Sequence, residues 1–445
     1  MELELVRKYS APVPRYTSYP TAPHFSGNIG PEIFQEWLKT DLQDDPISLY
    51  LHIPFCKSLC WYCGCNTKAT RRYEPIARYF DVLLDEMRLV RDTVGRRQAV
   101  GHLHLGGGSP DILSPRDIIR LGIAVRENFQ LTTDNEFAVE IDPRNADVDR
   151  VDAFSQIGVN RVSFGVQDFD PNVQEAINRY QSYAETAQVI SRFRDAGVPS
   201  VNVDLIFGLP KQTRDSIEQT VEHVIELQPD RIALFGYAHL PGRIAHQRMI
   251  DGATLPGTTE RFAQANRAAS LLTNAGYVRV GLDHFALPHD SLVTNPIRRN
   301  FQGYTSDNCT TLLGLGASAI SHLPTGYAQN AVPTANYMRS INDGCFATAK
   351  GYALNDDDRL RGAVIEDLMC RLKLCPTSLR ERFGVNAEAV IEEAEMLTQS
   401  DADGLVAATE DGFEVTERGR PFIRTICSCF DAYLGQSEAT HATGV

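Results

Sequence analysis

The chain has 445 residues, 43% of them apolar, and a formal net charge of −14 at pH 7. That length allows two domains or one large barrel with additions, and the composition provides an ordinary core. The acidic balance argues against broad nucleic-acid binding and against a polybasic membrane contact, and no stretch approaches the ~20 apolar residues that span a bilayer.

Met1 opens onto Glu2, Glu4, Arg7 and Lys8 without the apolar run of a signal peptide. A cytoplasmic protein with reduced cysteines is expected. Residues 1 to about 35 read as an extended arm, because Pro12, Pro14, Pro20 and Pro23 discourage regular helix. Within it lies the polar and aromatic run from Arg15 to Thr21, RYTSYPT.

Ile47 to Phe55 follows as a buried strand and leads into YLHIPFCKSLCWYCGC, Tyr50 to Cys65. Cys56, Cys60 and Cys63 stand in C-x3-C-x2-C spacing, with Cys65 two residues on. Three thiolates in one short loop hold three irons of a cubane cluster and leave the fourth iron open, which a chemical site needs and a structural site avoids. A structural zinc site would want a second ligand pair at fixed spacing, and none stands elsewhere in the chain. A disulfide framework does not suit a long chain without a secretory signal.

Strands and helices then alternate. A helix is expected over Tyr79 to Val94, a strand over Val100 to Leu105, and a helix near Pro115 to Asn128. Further strands read at Phe137 to Ile141, Arg161 to Val166, Val201 to Phe207 and Arg231 to Tyr237. Each ends in polar or glycine residues, the first in Gly106-Gly107-Gly108-Ser109-Pro110. With the cysteine strand this makes six strand–helix units of a parallel α/β fold, and polar strand ends favour a barrel over a doubly wound sheet. The triple glycine lets backbone approach a ligand closely.

Near residue 351 the character changes. Asp356 to Cys370 and Ala387 to Ser400 read as helices, and Leu405 to Val415 as a hairpin turning at Asp411-Gly412. A last helix is expected to carry Cys427, Ser428, Cys429, Phe430 and Tyr433, and residues after Gln436 read as a frayed tail. The whole resembles a winged-helix domain, but Glu410, Asp411, Glu414 and Glu417 make its hairpin too acidic for a nucleic-acid reader. Three parts are expected: an arm over 1–35, a barrel with a loop-rich extension over 36–350, and a helical domain over 351–445.

The cysteine loop resembles that of radical S-adenosylmethionine (SAM) enzymes. With Cys65, the arm, GGGSP, VEIDP, GVQDF, Asn178-Arg179, DLIFGLP, NFQGYT and IRTICSCFDAYL, nearly the whole chain resembles the oxygen-independent coproporphyrinogen III oxidase family. The resemblance implies an open, partial (β/α)6 barrel, a 4Fe-4S cluster on Cys56, Cys60 and Cys63, and two SAM molecules. Tyr50, Gly107, Glu140 and Ile320 would serve the cluster-bound SAM. Tyr62, Gly108, Ser109, Gln167, Arg179, Asp204 and Ala238 would surround the second, with Tyr62 standing where the family pattern has phenylalanine. Tyr50, Cys65 and Gln302 would belong to the reacting centre, with Phe301 bordering it.

The implied reaction converts two propionates of coproporphyrinogen III to vinyl groups in haem biosynthesis. A small redox protein would donate electrons to a monomeric enzyme, with no nucleic acid or membrane involved. The alternative is a haem chaperone or another porphyrin-binding relative, which typically lacks the Arg15 to Thr21 arm and the fourth cysteine. Four substrate carboxylates call for guanidinium groups, and Arg15, Arg71, Arg72, Arg298 and Arg299 are the candidates.

Overall fold

The computed structural model describes residues 2–435, so the tail after Gln436 lies outside the described residues. Its main sheet has twelve strands: β1 Ile47–Ile53, β2 Gln98–Gly107, β3 Phe129–Ile141, β4 Arg161–Gln167, β5 Ser200–Phe207, β6 Arg231–Gly236, β7 Val278–Val280, β8 His284–Ala286, β9 Leu312–Leu315, β10 Ile320–Leu323, β11 Gly326–Asn330 and β12 Thr348–Ala353. Their spatial order is β12-β11-β10-β9-β1-β2-β3-β4-β5-β6-β8-β7. Strands β1 to β6 run parallel in chain order. Strand β9 joins β1 in parallel, while β10–β12 and β7–β8 continue antiparallel at the two sides. The six expected strand–helix units are therefore present, as an open barrel extended at both sides.

Strand alternation decides what this sheet encloses. Leu49, Leu51, Ile53, Leu103, Leu105, Val139, Val162, Phe164, Val203 and Leu205 all belong to one buried cluster with the flanking helices. Their neighbours one residue away point to the other face: Ser48, His102, His104, Glu136, Glu140, Arg161, Ser163, Asn202, Asp204 and Arg231 line an interior cavity of about 180 Å³. A polar interior is unusual for a barrel core, and the chain satisfies it by pairing: Arg231 Nε lies 2.7 Å from Asp290 and Arg161 Nε 2.9 Å from Glu136. Local signals set the helices, including capping boxes at Ser182/Glu185, Thr213/Ser216 and Asn355/Asp358.

The C-terminal unit has helices Asp356–Arg371, Pro376–Phe383 and Glu388–Ser400 beside a small three-stranded sheet that includes the hairpin Val406–Thr409/Gly412–Val415. The last helix ends earlier than expected, at Ile423–Ser428. Beyond it the backbone turns, so that Ala432 N–H donates to Tyr19 Oη at 2.9 Å and Tyr16 Oη donates to Asp431 at 3.0 Å.

The arm also differs from its extended expectation. It contains helix Glu2–Tyr9 and a single 3-10 turn at Ala22–His24, and a further helix begins at Pro31. The prolines exclude helix only from residue 10 onward. Leu5, Val6, Tyr16 and Tyr19 pack into the C-terminal core, so the first and last segments of the chain fold as one body. No helix of the described residues is long and apolar enough to cross a membrane.

Candidate active site

The cysteine loop is fixed at its base. Phe55–Cys56 pairs in parallel with Lys68–Ala69, Lys68 N–H donates to Pro54 O at 2.9 Å, and Thr70 N–H donates to Cys56 O at 2.9 Å. The glycine run at the end of β2 locks it from beneath: Gly108 N–H donates to Ile53 O at 2.8 Å and Ser109 N–H to Phe55 O at 2.9 Å. A Cβ on Gly106 would stand 2.7 Å from Glu140 Oε1, one on Gly107 2.6 Å from the His52 ring, and one on Gly108 2.5 Å from Phe55 O. The glycines were expected to admit a ligand. Their first reason is different: the protein's own atoms fill the space a side chain would take.

Cys56, Cys60, Cys63 and Cys65 face one cavity of about 640 Å³. Cys56 Sγ lies 3.2 Å from Thr67 Oγ1, and burial pushes its thiol up to about 12. Cys63 is lowered to about 7, first by a hydrogen bond with the Cys65 side chain and, against burial, also by the Cys65 backbone N–H, which donates to Cys63 Sγ at 3.4 Å. Cys65 is solvent-accessible but sits deep between the cavity walls. Two guanidiniums flank Cys60: Arg179 Nη1 at 3.5 Å and Arg144 Nη2 at 3.7 Å from its sulfur. Among the described residues no group of three or more His, Cys, Asp or Glu is placed to hold a single ion. A multi-iron cluster asks for something else, thiols facing a common space with each reaching a separate iron. Three thiols of one loop on one cavity fit a 4Fe-4S cluster.

The strand ends supply the polar wall. Glu140 Oε2 accepts Gly107 N–H at 3.1 Å, and Oε1 lies 3.2 Å from His104 Nε2. Tyr50 stacks on His104 at 5.9 Å and its hydroxyl meets His52 Nδ1 at 2.9 Å, while His52 Nε2 meets Asn66 O at 3.0 Å. Gln167 has φ 69, at a register shift between β4 and β5; such a bulge re-aims a side chain. Its Oε1 and Arg179 Nε are buried without a partner, and both residues line the cavity. Burial and Glu140 push Asp204 up to about 6, while Ser163 donates to it at 3.0 Å and Asn202 at 2.8 Å.

Several further residues of the site were not among the expected ones. Asp142 receives Arg144 through both its Nε (2.8 Å) and Nη2 (2.6 Å). Burial raises this carboxyl, but Arg179 and Arg144 outweigh burial and hold it at about 2. Asp111, buried near it, is pushed up to about 7 by burial and by Asp142. Gln247 Nε2 donates to both Tyr62 O and Ala238 O at 3.1 Å, and His246 Nε2 lies 2.7 Å from Cys63 O. These two residues tie the loop to the segment after β6. Asp142 is the aspartate of VEIDP, just after the strand that ends at Ile141, and Arg144 directly follows that motif.

The structure thus gathers Cys56, Cys60, Cys63, Cys65, Tyr62, Gly107, Gly108, Glu140, Gln167, Arg179, Asp204 and Ala238 around one cavity. Tyr50, Ser109 and Ile320 stand outside its lining. Tyr50 stacks on His104, which in turn meets Glu140, Ser109 is buried and donates to Asp111, and half-buried Ile320 opens β10. Gln302 borders a neighbouring cavity instead. Of the five proposed substrate arginines, Arg15 and Arg299 line that neighbouring cavity. Arg71 and Arg72 are exposed, and Arg298 is engaged by Glu366 at 3.2 Å and Cys309 O at 2.9 Å. Sequence adjacency had grouped arginines that the fold separates.

Comparison with known proteins shows which family the chain belongs to. The Radical SAM superfamily model matches residues 50–224 and the HemN C-terminal domain model residues 354–422. The oxygen-independent coproporphyrinogen III oxidase of Bradyrhizobium diazoefficiens is 47% identical over 437 residues, covering 97% of each chain. That of Pseudomonas aeruginosa is 41% identical over 441 residues, covering 97% of this chain and 96% of its own. The solved coproporphyrinogen III oxidase (HemN) of Escherichia coli, described as a radical SAM enzyme, matches with a TM-score of 0.90 and 40% identity over 97% of this chain and 98% of that one. This chain belongs to the oxygen-independent coproporphyrinogen III oxidase family, radical SAM enzymes that use a 4Fe-4S cluster and SAM.

Proposed function

We propose that the chain converts two propionate side chains of coproporphyrinogen III to vinyl groups, giving protoporphyrinogen IX. The observation that carries this reading is the convergence of the three loop thiols and the polar strand ends on one cavity, at the mouth of a barrel capped by the arm. Each conversion removes one hydrogen atom, one CO2 and one further electron from a propionate, leaving a carbon–carbon double bond.

Cys56, Cys60 and Cys63 hold the cluster. When bound, the cluster and SAM together supply a carbon radical that abstracts hydrogen. Glu140, oriented by Gly107 N–H and His104, receives the SAM on the cluster, with Tyr50 and Ile320 behind it. Arg179 and Gln167, whose buried Nε and Oε1 lack partners, take a second SAM with Tyr62, Gly108, Ser109, Asp204 and Ala238. Cys65 lines both the cysteine cavity and its neighbour, and with Gln302 it faces the substrate.

Of the three parts, the arm (1–35), the barrel (36–350) and the helical domain (351–445), the first and last bring Val13, Arg15 and Arg424 to the cysteine cavity. Lys57, Arg71 and Arg150 surround a cavity beside the loop, a positive face suited to an acidic redox protein as electron donor. The enzyme works as a cytoplasmic monomer. Anaerobic incubation of the reconstituted protein with coproporphyrinogen III, SAM and a reductant, followed by chromatography, tests the proposal. Protoporphyrinogen IX with CO2 release is expected. Porphyrinogen that binds but returns unchanged would make the protein a carrier.

A further inference from the structure

Beside the cysteine cavity lies a second one, of about 400 Å³, within the range of small-molecule sites. The two adjoin, since Arg15, Cys65, Phe235, Gly236, Tyr237 and Arg424 line both. The lining of the second is unlike the rest of this acidic protein. Arg15, Arg261, Arg279, Arg299 and Arg424 enter it from five separate segments, with Asp283 as its one carboxylate. The remaining wall is largely apolar, with five phenylalanines.

The guanidiniums are held in place but undersupplied with negative charge. Arg299 is buried, stacks over Tyr304 at 4.5 Å and approaches Asp283 Oδ1 at 3.8 Å, while its Nε and Nη1 have no hydrogen-bond partner. Arg279 donates to Leu282 O at 3.2 Å and leaves a buried Nε unpartnered. Arg261 is positioned by Tyr237 O at 2.8 Å and by the Phe207 ring at 5.8 Å. Arg15 is positioned by Gly236 O at 3.2 Å. Among the described residues, the one ion pair that these four make is that of Arg299 with Asp283.

Burial lowers Arg261 with Arg15 adding to it, and burial with Arg420 lowers Arg279 to about 10. Burial raises the Asp283 carboxyl, but Arg299 and His284 overcome this and hold it at about 2. Buried cations without enough counter-charge are costly, so a fold that keeps them in one cavity has built a place for anions.

Planar guanidinium forks match carboxylates, and an apolar wall suits an uncharged ring system. We propose that this cavity is a polycarboxylate clamp: Arg261, Arg279 and Arg299, with Arg15 from the arm, bind the non-reacting carboxylates of the tetrapyrrole, so that the reacting propionate reaches past Gly236 and Cys65 into the cysteine cavity. The assignment rests on the substrate reading above and adds the residues that orient the substrate. Arg261 and Arg279 belong to a helix and a short strand that contribute nothing to the cysteine cavity, so their role is separable from cofactor binding.

The test needs no turnover. The reconstituted protein is titrated anaerobically with coproporphyrin III, the oxidised fluorescent tetra-acid, and with its tetramethyl ester, following porphyrin fluorescence. The unmutated protein should bind the acid at least about tenfold more tightly than the ester. Arg279→Gln and Arg261→Gln should each weaken the acid about ten- to a hundredfold and leave the ester unchanged. Arg279→Lys, which keeps charge but loses the fork, should fall between.

SAM cleavage in the absence of porphyrinogen should be unaltered in every variant, which separates loss of the clamp from loss of fold. Equal affinity of the unmutated protein for acid and ester overturns the clamp without recourse to any variant. Acid affinity unchanged in both glutamine variants overturns it as well. Neither result touches the reaction assignment, which fails only if the unmutated enzyme leaves coproporphyrinogen III unconverted.

Discussion

His104 Nε2 stands 3.2 Å from Glu140 Oε1 across the β2–β3 pairing, while the other Glu140 oxygen takes Gly107 N–H at 3.1 Å. Both carboxylate oxygens are thereby aimed before any ligand arrives. His104 is also the ring on which Tyr50 stacks. His104→Phe should keep the stack, lose the bond, and slow SAM cleavage by roughly tenfold, with little change in thermal stability. Arg179→Ala should weaken a different SAM binding event, because Arg179 contacts Asp142 and Cys60 rather than Glu140. Calorimetric SAM titrations of the two variants decide this; one site in the unmutated protein, or identical defects in both variants, ends the two-molecule model.

The cysteines should divide three to one. Cys56→Ser, Cys60→Ser and Cys63→Ser should each lose most cluster iron on anaerobic reconstitution. Cys65→Ser should retain it, because serine keeps the backbone N–H and puts a hydroxyl in place of the thiol beside Cys63. Iron assays and visible absorbance measure this, and an emptied site in Cys65→Ser contradicts the ligand assignment.

Arg15 offers a cleaner probe of the arm than truncation. Deleting residues 1–23 would remove Leu5, Val6, Tyr16 and Tyr19 from the C-terminal core and destabilise the fold by several kcal/mol. Arg15→Gln removes one guanidinium whose hydrogen bond is to Gly236 O. It should leave cluster content and melting temperature unchanged while lowering vinyl formation at least several-fold. Unchanged vinyl formation would return the arm to a purely structural part.

Glu86 should give the fold a pH dependence of its own. It is fully buried, and burial pushes its carboxyl up to about 7 against the pull of Tyr337, Gly316 N–H and Asn330. An unfolded glutamate titrates near ~4.3. Between those values the unfolded chain gives up the proton and the folded chain keeps it. Stability therefore falls as pH rises from about 4.3 towards 7, by up to ~4 kcal/mol. Glu86→Gln abolishes this slope but turns an amide NH2 toward groups that donate, costing about 1–3 kcal/mol at pH 5. Denaturant midpoints at pH 5 and pH 8 should show the gap between the two proteins narrowing with pH, and a constant gap refutes the assignment.

What the sequence disclosed follows from what is local. The cysteine spacing, the parallel strands and the helix from Pro115 to Asn128 are each written within one segment, and the structure returns them. The polar interior was hidden because His102, His104, Ser163 and Asn202 alternate with core residues in strands shielded on both faces, which read as ordinary strands. Helix Glu2–Tyr9 escaped notice because its partners are some four hundred residues away. Arg261 and Arg279 were invisible as site residues for the same reason, since only the folded chain brings them beside Arg15 and Arg299. Arg71 and Arg72 misled because adjacency in sequence says nothing about a shared cavity.

The tether between the chain's two ends has a consequence for how the protein is made. Arg424 donates to Pro14 O at 2.9 Å and to Val13 O, so the arm's seat is translated last. At about 5–20 residues per second a ribosome needs on the order of tens of seconds to travel between those positions. Late in that interval, once residue 350 is made, the barrel and its cysteine loop can fold while Val13 and Pro14 still lack Arg424. The cysteine loop can therefore be complete before that part of the arm is seated. A protein cut short near its end would keep its cluster loop and lose the closure that keeps radical chemistry away from water.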